Sequence, residues 1–534
     1  MKQRLSIYLA KNGIIQDDHL LDLERMREAK YLNIPDTESV IYIHQPKPAR
    51  YPDWVGYIIS SQSEIGYEDF SKCQSESAVI IVRFSSVIFL ITFGGGHHKV
   101  KKESIERDFG LRVTLNSVDP DKLKSLDKSN YQDSPLNTRS QSTKEVDISS
   151  LNIDSELDIL STLTGKSNVD IFGDIVTGKD SLIITPPVSI DSLQSVLSEA
   201  LSRFKQKLPK EFEWIDNISK VKDKDLSDVL DLELNEYLKD NDRSEEFWIG
   251  EPELVDWTAQ IGYVFGRITS RSEIHPTLVF DNLKKYISLN KLDLNCDVLK
   301  SLKIHIIKEN EISYDSWSAF NCLYAEVKNK NETYILRNGS WYAVNASFIA
   351  SLDKSLESVL PYDFELPIYN HLREDEYNKY VENNCDACIN MDKKLLHHGG
   401  RNNKFEFADI LRNGTDFIHV KYYRSSSTLS HLFAQAYVSL ELFVSDAAFR
   451  AKLNKVLPND SKLIDVSSRP DTQNYVVVYA IAINRDIPKN LPLFSKITLK
   501  NTVKSLRNLG FTIKLAQIKV DPELAKRKIL RSKK

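Results

Sequence analysis

The stretch FIHVKYYRSSSTLSHLFAQA, residues 417–436, decides the interpretation of this chain. Residues 417–423 form an apolar run that predicts a β-strand, and Lys421 stands near its end. Residues 428–443 predict an amphipathic helix, because their apolar side chains recur at three- and four-residue steps. The pattern therefore places one lysine between the end of a strand and the start of a helix.

The flanking sequence extends this pair into a larger unit that covers residues 366–534. Its predicted elements are a helix at 374–384, strands at 394–398, 404–411 and 417–423, a helix at 428–443 and a strand at 474–483. The order α-β-β-β-α-β resembles the core of restriction-endonuclease-like nucleases. We therefore expect a restriction-endonuclease-like fold in the C-terminal unit.

In nucleases of that type, an acidic residue on the second strand and an acid-x-lysine motif on the third meet at one edge of the sheet. Asp409 and Lys421 occupy the matching positions here. Carboxylates hold Mg²⁺ or Mn²⁺ against the scissile phosphate, and the lysine positions the attacking water and offsets developing negative charge. The sequence therefore predicts a metal-dependent nuclease in which Asp409 and Lys421 are catalytic.

The motif is incomplete, because His419 stands two residues before Lys421, where the usual motif has Asp or Glu. Histidine is a poor ligand for Mg²⁺, so a second carboxylate has to come from Glu406 or Asp392. In a regular strand Glu406 and Asp409 lie on opposite faces, so both can serve only with a bulge or twist. The alternative interpretation is a cross-strand ion pair between Asp409 and Lys421.

Polar residues that follow the third strand are candidates for contacts with nucleic acid. They are Arg424, Ser426, Ser427, His431 and Gln435. The net charge of the chain is −4, but residues 500–534 contain 11 Lys or Arg against two acids. Such a basic segment binds polyanions by releasing counterions, and a solvated tail is the alternative.

The length of 534 residues predicts several domains, and we expect an α+β or α/β multidomain protein. The predicted regions are an N-terminal α+β domain at 1–125, a polar linker at 126–150, a mostly helical region at 151–260, an α+β region with a hairpin at 261–365, and the nuclease-like domain at 366–534 with its basic tail.

Two glycine-containing motifs outside this unit suggest anion binding. In FGGGHHKV, residues 93–100, the amides of Gly95 and Gly96 can approach an anion beside His97, and a hairpin turn is the alternative. GDIVTGKD, residues 173–180, has the spacing of a phosphate-binding loop. The strand-like residues that follow it favour a tight turn instead.

Two further motifs have other rival interpretations. Glu326-Val327-Lys328 is an acid-x-lysine motif, but a hairpin follows it where a helix is needed. Cys385-x-x-Cys388, followed by His397-His398, offers four donors of the kind that bind zinc. Fortuitous spacing is the alternative for the cysteines and histidines.

Composition and cysteine usage predict a cytoplasmic protein that does not enter a membrane. The longest apolar region, residues 78–93, is broken by Arg83 and two serines, so it predicts two strands and not a membrane span. The N-terminus lacks the apolar core of a secretory signal. Five cysteines, mostly isolated, are typical of a reducing compartment.

Several phrases together resemble a known family. They include RDFGLRVTLN, NGSWYAVN, FEFADIL and FIHVKYYRSSSTLSHLFAQAYVS. They are similar to those of a sporadically distributed bacterial family that is named only as a domain of unknown function. The resemblance covers nearly the whole chain and implies a horizontally spread gene of the kind found in phage-defence and restriction loci. It implies no settled catalytic residues.

We therefore expect an antiviral defence protein whose C-terminal domain is a metal-dependent nuclease acting on DNA. One alternative is a nucleic-acid-binding or sensor protein that keeps the nuclease-like fold without cleavage. Another is an interaction scaffold in a larger complex. The sequence leaves open RNA as the substrate, the activating trigger and whether the protein forms a homo-oligomer.

Overall fold

A computed structural model describes most of the chain. It covers residues 3–45, 48–60, 64–130, 137–156, 158–240, 247–252, 260–269, 272–308, 313–397, 404–423 and 426–524. The chain divides into two compact units of mixed α and β structure. Unit 1 contains Met1–Ser129 and Asn137–Ile215, and unit 2 contains Asn130–Leu136 and Asp216–Lys534.

In its described residues, unit 1 consists of a ten-stranded sheet and four α-helices. The strands are β1 (Leu5–Leu9), β2 (Lys30–Tyr31), β3 (Glu38–Ile43), β4 (Ala78–Phe84), β5 (Val87–Phe93), β6 (Val118–Asn130), β7 (Asn137–Val146), β8 (Asp158–Ser167), β9 (Ile175–Gly178) and β10 (Leu182–Ile184). The helices are α1 (Asp17–Leu20), α2 (Asp53–Ile59), α3 (Phe109–Leu115) and α4 (Leu193–Lys205). The strand order is β2-β3-β4-β5-β1-β10-β9-β8-β6-β7.

The polar linker predicted at residues 126–150 differs from what the structure contains. Most of these residues belong to the long antiparallel strands β6 and β7 at one edge of the sheet. The side chains of β7 are all half-buried or exposed. An edge strand of this kind needs no apolar face, so its sequence carries little of the alternation that marks a strand.

The first part of unit 2 contains a five-stranded and a three-stranded sheet. Its strands are β11 (Ile218–Lys220), β12 (Trp248–Ile249), β13 (Gln260–Phe265), β14 (Lys303–Lys308), β15 (Ser313–Ser318), β16 (Leu323–Asn329), β17 (Glu332–Arg337) and β18 (Ser340–Val344). Its helices are α5 (Lys224–Lys239), α6 (Phe280–Leu289), α7 (Cys296–Ser301), α8 (Ala319–Cys322) and α9 (Ala346–Leu356). The strand orders are β11-β18-β17-β16-β12 and β13-β14-β15.

The hairpin predicted at Asn338 and Gly339 is confirmed, because these two residues join the antiparallel strands β17 and β18. Both have positive φ, 48° and 65°, as a two-residue hairpin turn of this type requires.

The last part of unit 2 contains a six-stranded sheet and a separate two-stranded hairpin. Its strands are β19 (Leu360–Pro361), β20 (Cys388–Asn390), β21 (Leu396–His397), β22 (Lys404–Phe405), β23 (Ile410–Arg412), β24 (Asp416–Tyr422), β25 (Val476–Ala482) and β26 (Thr512–Ile518). Its helices are α10 (Glu374–Asn384), α11 (Ser426–Ser445), α12 (Ala447–Val456) and α13 (Leu493–Asn508). The larger sheet has the order β19-β26-β25-β24-β23-β20.

One strand of this larger sheet, β23, runs in the direction opposite to all the others. Strand β23 is antiparallel to both β20 and β24, whereas β24, β25, β26 and β19 run parallel. Parallel neighbours need crossover connections, and α11 with α12 supplies the one between β24 and β25. Helix α13 supplies the crossover connection between β25 and β26.

The strand predicted first in this unit, residues 394–398, is wrong as a member of the sheet. Residues Leu396–His397 pair with Lys404–Phe405 in the separate hairpin. The sheet begins instead at Cys388–Asn390, which pairs with β23. Three residues are too few to show the alternating pattern that identifies a strand in a sequence.

Helices cover both faces of the larger sheet. Residues of β24 therefore alternate between two hydrophobic cores, one on each face. Phe417 packs into the core shared with α11, α12 and α13. Ile418 and Val420 pack into a second core with Tyr377 and Val381 of α10. The end of the sheet is therefore bounded by α10 on one face and α11 on the other.

Glu326, the acid of the second acid-x-lysine motif, has a structural partner. Its Oε2 accepts a hydrogen bond of 2.9 Å from the amide of Leu493, the first residue of α13. In the same helix, the buried Lys496 ammonium donates to Asp353 of α9 at 2.5 Å. These contacts hold the first turn of α13 against elements from the first part of unit 2.

We predict a large loss of stability when Phe443 of α11 is replaced by alanine. Phe443 is 1% exposed, and its ring lies 5.4–5.8 Å from those of Phe407, Phe417 and Tyr475. The cavity left by Phe443→Ala is expected to lower the free energy of unfolding by about 3–5 kcal/mol. Urea denaturation measures this change. Val438→Ala on the exposed side of α11 is the control, and an equal effect of both would contradict the packing.

Among the described residues, no single helix is long and apolar enough to cross a membrane. A bent pair, Leu432–Ser445 with Ala447–Val456, passes that test by length and composition only.

Candidate functional site

Three of the acidic residues considered as metal ligands converge beside the larger sheet of unit 2. Asp392, Glu406 and Asp409 each place one ligand atom within 4.8 Å of the other two. All three are half-buried. In the part of the chain that the structure describes, this is the one group of three or more acidic, histidine or cysteine side chains arranged to hold a metal ion.

The backbone fixes the positions of these three residues. Asp392 follows β20, and its amide and that of Met391 donate to the carbonyl oxygen of Asp409 at 3.1 and 2.8 Å. The amide of Lys393 donates to Oε1 of Glu406 at 2.7 Å. Since β23 begins only at Ile410, residues 406–409 are not a regular strand. Glu406 and Asp409 can therefore point the same way without the bulge that a continuous strand would need.

The local environment disfavours the charged forms of two of these acids. Burial raises the pKa of Asp409 to about 8, against a hydrogen bond of 2.7 Å from the Val420 amide, and nearby carboxylates add to the rise. Burial also raises the pKa of Glu406, which lies against Asp392. A divalent cation would relieve this repulsion, so the carboxylates suit Mg²⁺ or Mn²⁺ as ligands.

Lys421 lies near the end of β24 and borders the same site. Its ammonium donates to Oε2 of Glu374, the first residue of α10, at 2.9 Å. Among the described residues this is the ion pair that Lys421 makes, so the alternative pairing with Asp409 is not the arrangement found. Both side chains are about 30% exposed, and exposed pairs of this kind contribute little to stability.

A cleft of about 350 Å³ brings these groups together at the end of the sheet. The acids and bases that line it are Glu374, Asp375, Asp392, Glu406, Asp409, Arg373, Lys393 and Lys421. Five carboxyl groups thus face three cations, and even with Asp409 protonated the carboxyl groups that remain outnumber the cations. The field in the cleft therefore favours a cation as the first ligand.

His419 and Asn378 line the same cleft as buried, uncharged groups. His419 is 5% exposed, and burial lowers its pKa to about 4, so its imidazole is neutral at pH 7. Asn378 of α10 is fully buried. Among the described residues, neither His419 Nε2 nor either amide atom of Asn378 has a hydrogen-bond partner.

The structure describes some of the other residues that were predicted to contact nucleic acid. Gln435 is exposed on α11 and lines the cleft. Ser426 and Ser427 belong to the first turn of α11 and His431 follows one turn later, but their side chains lie outside what the structure describes. Arg424 is outside the described residues altogether.

The glycine and histidine motif at residues 93–100 belongs to unit 1 and has a packing role. Residues Gly94–Lys99 form a 3₁₀ turn after β5. A Cβ at Gly96 would come within 2.4 Å of the carbonyl oxygen of Ala78, so this glycine allows two backbones to touch. His97 Nδ1 lies 3.3 Å from the carbonyl oxygen of Gly94. Gly95 has no comparable contact within 3.4 Å among the described atoms.

The zinc motif does not assemble within the described residues. Cys385 directly follows α10 and Cys388 is the first residue of β20. Burial raises the pKa of both thiols, that of Cys388 to about 11. Zinc needs thiolates, so these thiols are poorly prepared as ligands. The side chain of His397 is exposed, and its carbonyl oxygen accepts from Lys452 at 2.7 Å. His398 lies outside the described residues.

Sequence reasoning missed Glu374 and Asn378. Both lie on the predicted helix at 374–384, one turn apart, so their side chains share a face. An asparagine in the middle of an acidic helix was the available signal, because Asn has low helix propensity. Only tertiary structure places this face against β24.

Comparisons with known proteins give a family and nothing more. No curated protein and no solved structure matches the chain. One family model matches residues 5–519, which is nearly the whole chain. The chain therefore belongs to the family of unknown function DUF6119.

Proposed function

We propose that this protein is a divalent-metal-dependent nuclease that hydrolyses phosphodiester bonds in DNA. The observation that carries the proposal is the convergence of Asp392, Glu406 and Asp409 within 4.8 Å, in a cleft that Lys421 also lines. Clustered carboxylates beside a lysine are the groups that metal-assisted phosphodiester hydrolysis requires.

The topology around the cleft supports a restriction-endonuclease-like core as part of this proposal. The elements α10, β20, β23, β24, α11 and β25 follow one another in the predicted order, with the small hairpin inserted before β23. Asp409 immediately precedes β23, and Lys421 lies near the end of the neighbouring strand β24. The acid and the lysine thus occupy one end of adjacent strands, as that fold requires.

The side chains would have distinct roles. Asp392, Glu406 and Asp409 would hold the ion, which when bound polarises a phosphoryl oxygen and makes water a better nucleophile. The Lys421 ammonium would offset the negative charge that develops on the phosphate. To contact the phosphate, the ammonium has to leave its ion pair with Glu374. A partly exposed ion pair is weak, so it can be broken when substrate binds.

The contribution of the basic C-terminal segment stays a prediction. In its described part, Lys514 pairs with Asp363 and Lys519 with Glu365, so these two charges are partly neutralised. The remaining cluster, at residues 526–534, lies outside the described residues. The choice of DNA over RNA and a role in phage defence rest on the sequence resemblance.

A protein that binds nucleic acid without cutting it is the second candidate. Two observations favour it: His419 replaces the acid two residues before Lys421, and Lys421 is paired with Glu374. The converged carboxylates argue against it, because binding alone gives no reason to gather three acids beside a phosphate backbone.

The direct test incubates the full-length protein with supercoiled plasmid in Mn²⁺, in Mg²⁺ and in EDTA. We expect nicked and linear products with either metal and none in EDTA. A gel-shift assay in Ca²⁺ measures binding separately. Retarded but intact DNA under all conditions would favour the binding protein, and neither retardation nor cleavage would favour the scaffold. A parallel reaction with RNA identifies the preferred substrate.

A further inference from the structure

Two buried side chains in the cleft carry polar atoms that make no hydrogen bond to the described residues. Asn378 is 0% exposed and His419 is 5% exposed. In the described part of the chain, both amide atoms of Asn378 and Nε2 of His419 lack hydrogen-bond partners. The two residues come from different elements, α10 and β24, yet both line the cleft that contains the carboxylates.

Folding does not explain these groups. A buried polar atom without a partner costs about 1–3 kcal/mol, and an apolar side chain of the same shape avoids that cost. Leucine at position 378 or phenylalanine at position 419 would suit the surrounding cores, since the ring of His419 lies 6.0 Å from that of Tyr479. Buried polar groups that lower stability in this way are typical of binding sites, where a bound ligand supplies the missing hydrogen-bond partner.

The charge in the cleft indicates which ligand supplies the hydrogen-bond partner of Asn378 and His419. The acidic side chains of the cleft outnumber its three cations, which favours a divalent cation over a free phosphate as the ligand. Mg²⁺ keeps several of its waters when a protein binds it through carboxylates. Those waters donate hydrogen bonds outward and need acceptors. The amide oxygen of Asn378 and a neutral imidazole nitrogen of His419 are acceptors without charge.

We propose that Asn378 and His419 form the outer shell of a hydrated divalent cation held by Asp392, Glu406 and Asp409, and accept hydrogen bonds from water that the ion retains. This inference rests on the metal site in the proposed function and extends it to two positioning residues. Outer-shell groups of this kind typically contribute 10- to 100-fold to metal affinity.

The test measures Mn²⁺ binding to the full-length protein by isothermal titration calorimetry, without a cleavage assay. We expect Asn378→Leu and His419→Phe each to raise the Kd for Mn²⁺ about 10-fold. The same variants should have an unchanged or higher Tm in EDTA, because each removes an unpartnered buried group. Asn384→Leu is the matched control, since Asn384 is exposed at the end of the same helix, and it should leave the Kd unchanged.

A second substitution at position 378 distinguishes the loss of a hydrogen-bond acceptor from a change in side-chain size. Asn378→Asp keeps an acceptor oxygen, so the Kd for Mn²⁺ should stay within about 3-fold of wild type or become lower. If Asn378→Leu does not fold, Asn378→Ala removes the same acceptor without adding volume and carries the same expectation. Loss of affinity in Asn378→Asp equal to that in Asn378→Leu overturns the outer-shell role.

Other outcomes also decide the matter. A lower Tm in EDTA with a wild-type Kd for Mn²⁺ would mean that Asn378 and His419 are structural, and it overturns the inference. If Asp409→Asn abolishes Mn²⁺ binding while Asn378→Leu and His419→Phe do not weaken it, the outer shell fails and the proposed nuclease site stands. If Asp409→Asn also leaves binding unchanged, the metal site and the proposed function fail together.

Discussion

Replacing Lys421 by methionine is expected to reduce metal-dependent cleavage of DNA by about 100-fold or more, because one preorganised group that stabilises transition-state charge is commonly worth that much. Methionine keeps the length of the side chain and removes the ammonium. The partly exposed pair with Glu374 contributes little to stability, so the Tm should change by no more than a few degrees. Initial rates of plasmid nicking in Mn²⁺ measure the effect.

The control for Lys421→Met is Lys379→Met, which removes an exposed lysine from α10. It should leave the nicking rate within about 2-fold of wild type, since Lys379 does not line the cleft and an exposed charge is screened by salt. If Lys421→Met cleaves as fast as wild type, Lys421 takes no part in the chemistry. The cleft would then lose its assignment as the nuclease centre.

Asp409→Asn is expected to abolish both cleavage and the rise in Tm that Mn²⁺ produces, while making the metal-free protein more stable. The amide oxygen of asparagine can still accept from the Val420 amide, so the local hydrogen bond at 2.7 Å is kept. The substitution removes one of three clustered carboxylates, and with it most of their repulsion. At pH 8 we expect a gain in the free energy of unfolding of at most about 5 kcal/mol, the equivalent of the raised pKa.

The gain should depend on pH in a direction that follows from the pKa of Asp409. That pKa is raised to about 8, so the folded state binds the proton more tightly than the unfolded chain does. The stabilisation that comes from this tighter proton binding is fully present below about pH 4, the pKa of the Asp409 carboxyl in the unfolded chain. It is lost as the pH rises to about 8. Asp409→Asn does not undergo this loss.

Thermal melts in EDTA at pH 5 and pH 8 therefore compare Asp409→Asn with wild type. The difference in Tm should be larger at pH 8 than at pH 5. Asp460→Asn, at an exposed position, is the control and should show no such dependence. An equal Mn²⁺ response in wild type and Asp409→Asn would remove Asp409 from the metal site.

The elements around the cleft could be predicted where they are long and periodic. The helix over 428–443 and the strands over 417–423 and 474–483 each have enough residues to show a period, and the structure has α11, β24 and β25 at these places. The three-residue strand β20 has no detectable period. The polar strands β6 and β7 were mistaken for a linker because one edge of their sheet needs no apolar face.

The composition of the site was only partly accessible from the sequence. Asp409 and Lys421 follow from the motif, and Glu406 and Asp392 were the candidates for further carboxylates. Whether these acids meet depends on where β23 begins, and a period-two pattern cannot locate a strand end to one residue. Glu374 stands 47 positions before Lys421, so their pairing needs the packing of α10 against the sheet.

The contacts at the start of α13 determine how the chain can be shortened. A fragment that starts at residue 366 lacks Asp353 and Glu326, which leaves the buried Lys496 ammonium uncompensated and the Leu493 amide without its acceptor. It also lacks β19, which pairs with β26 at the border of the sheet. A fragment that carries the cleft should therefore begin upstream of β16, at Asp216, where the long continuous part of unit 2 starts. Shorter pieces are expected to aggregate.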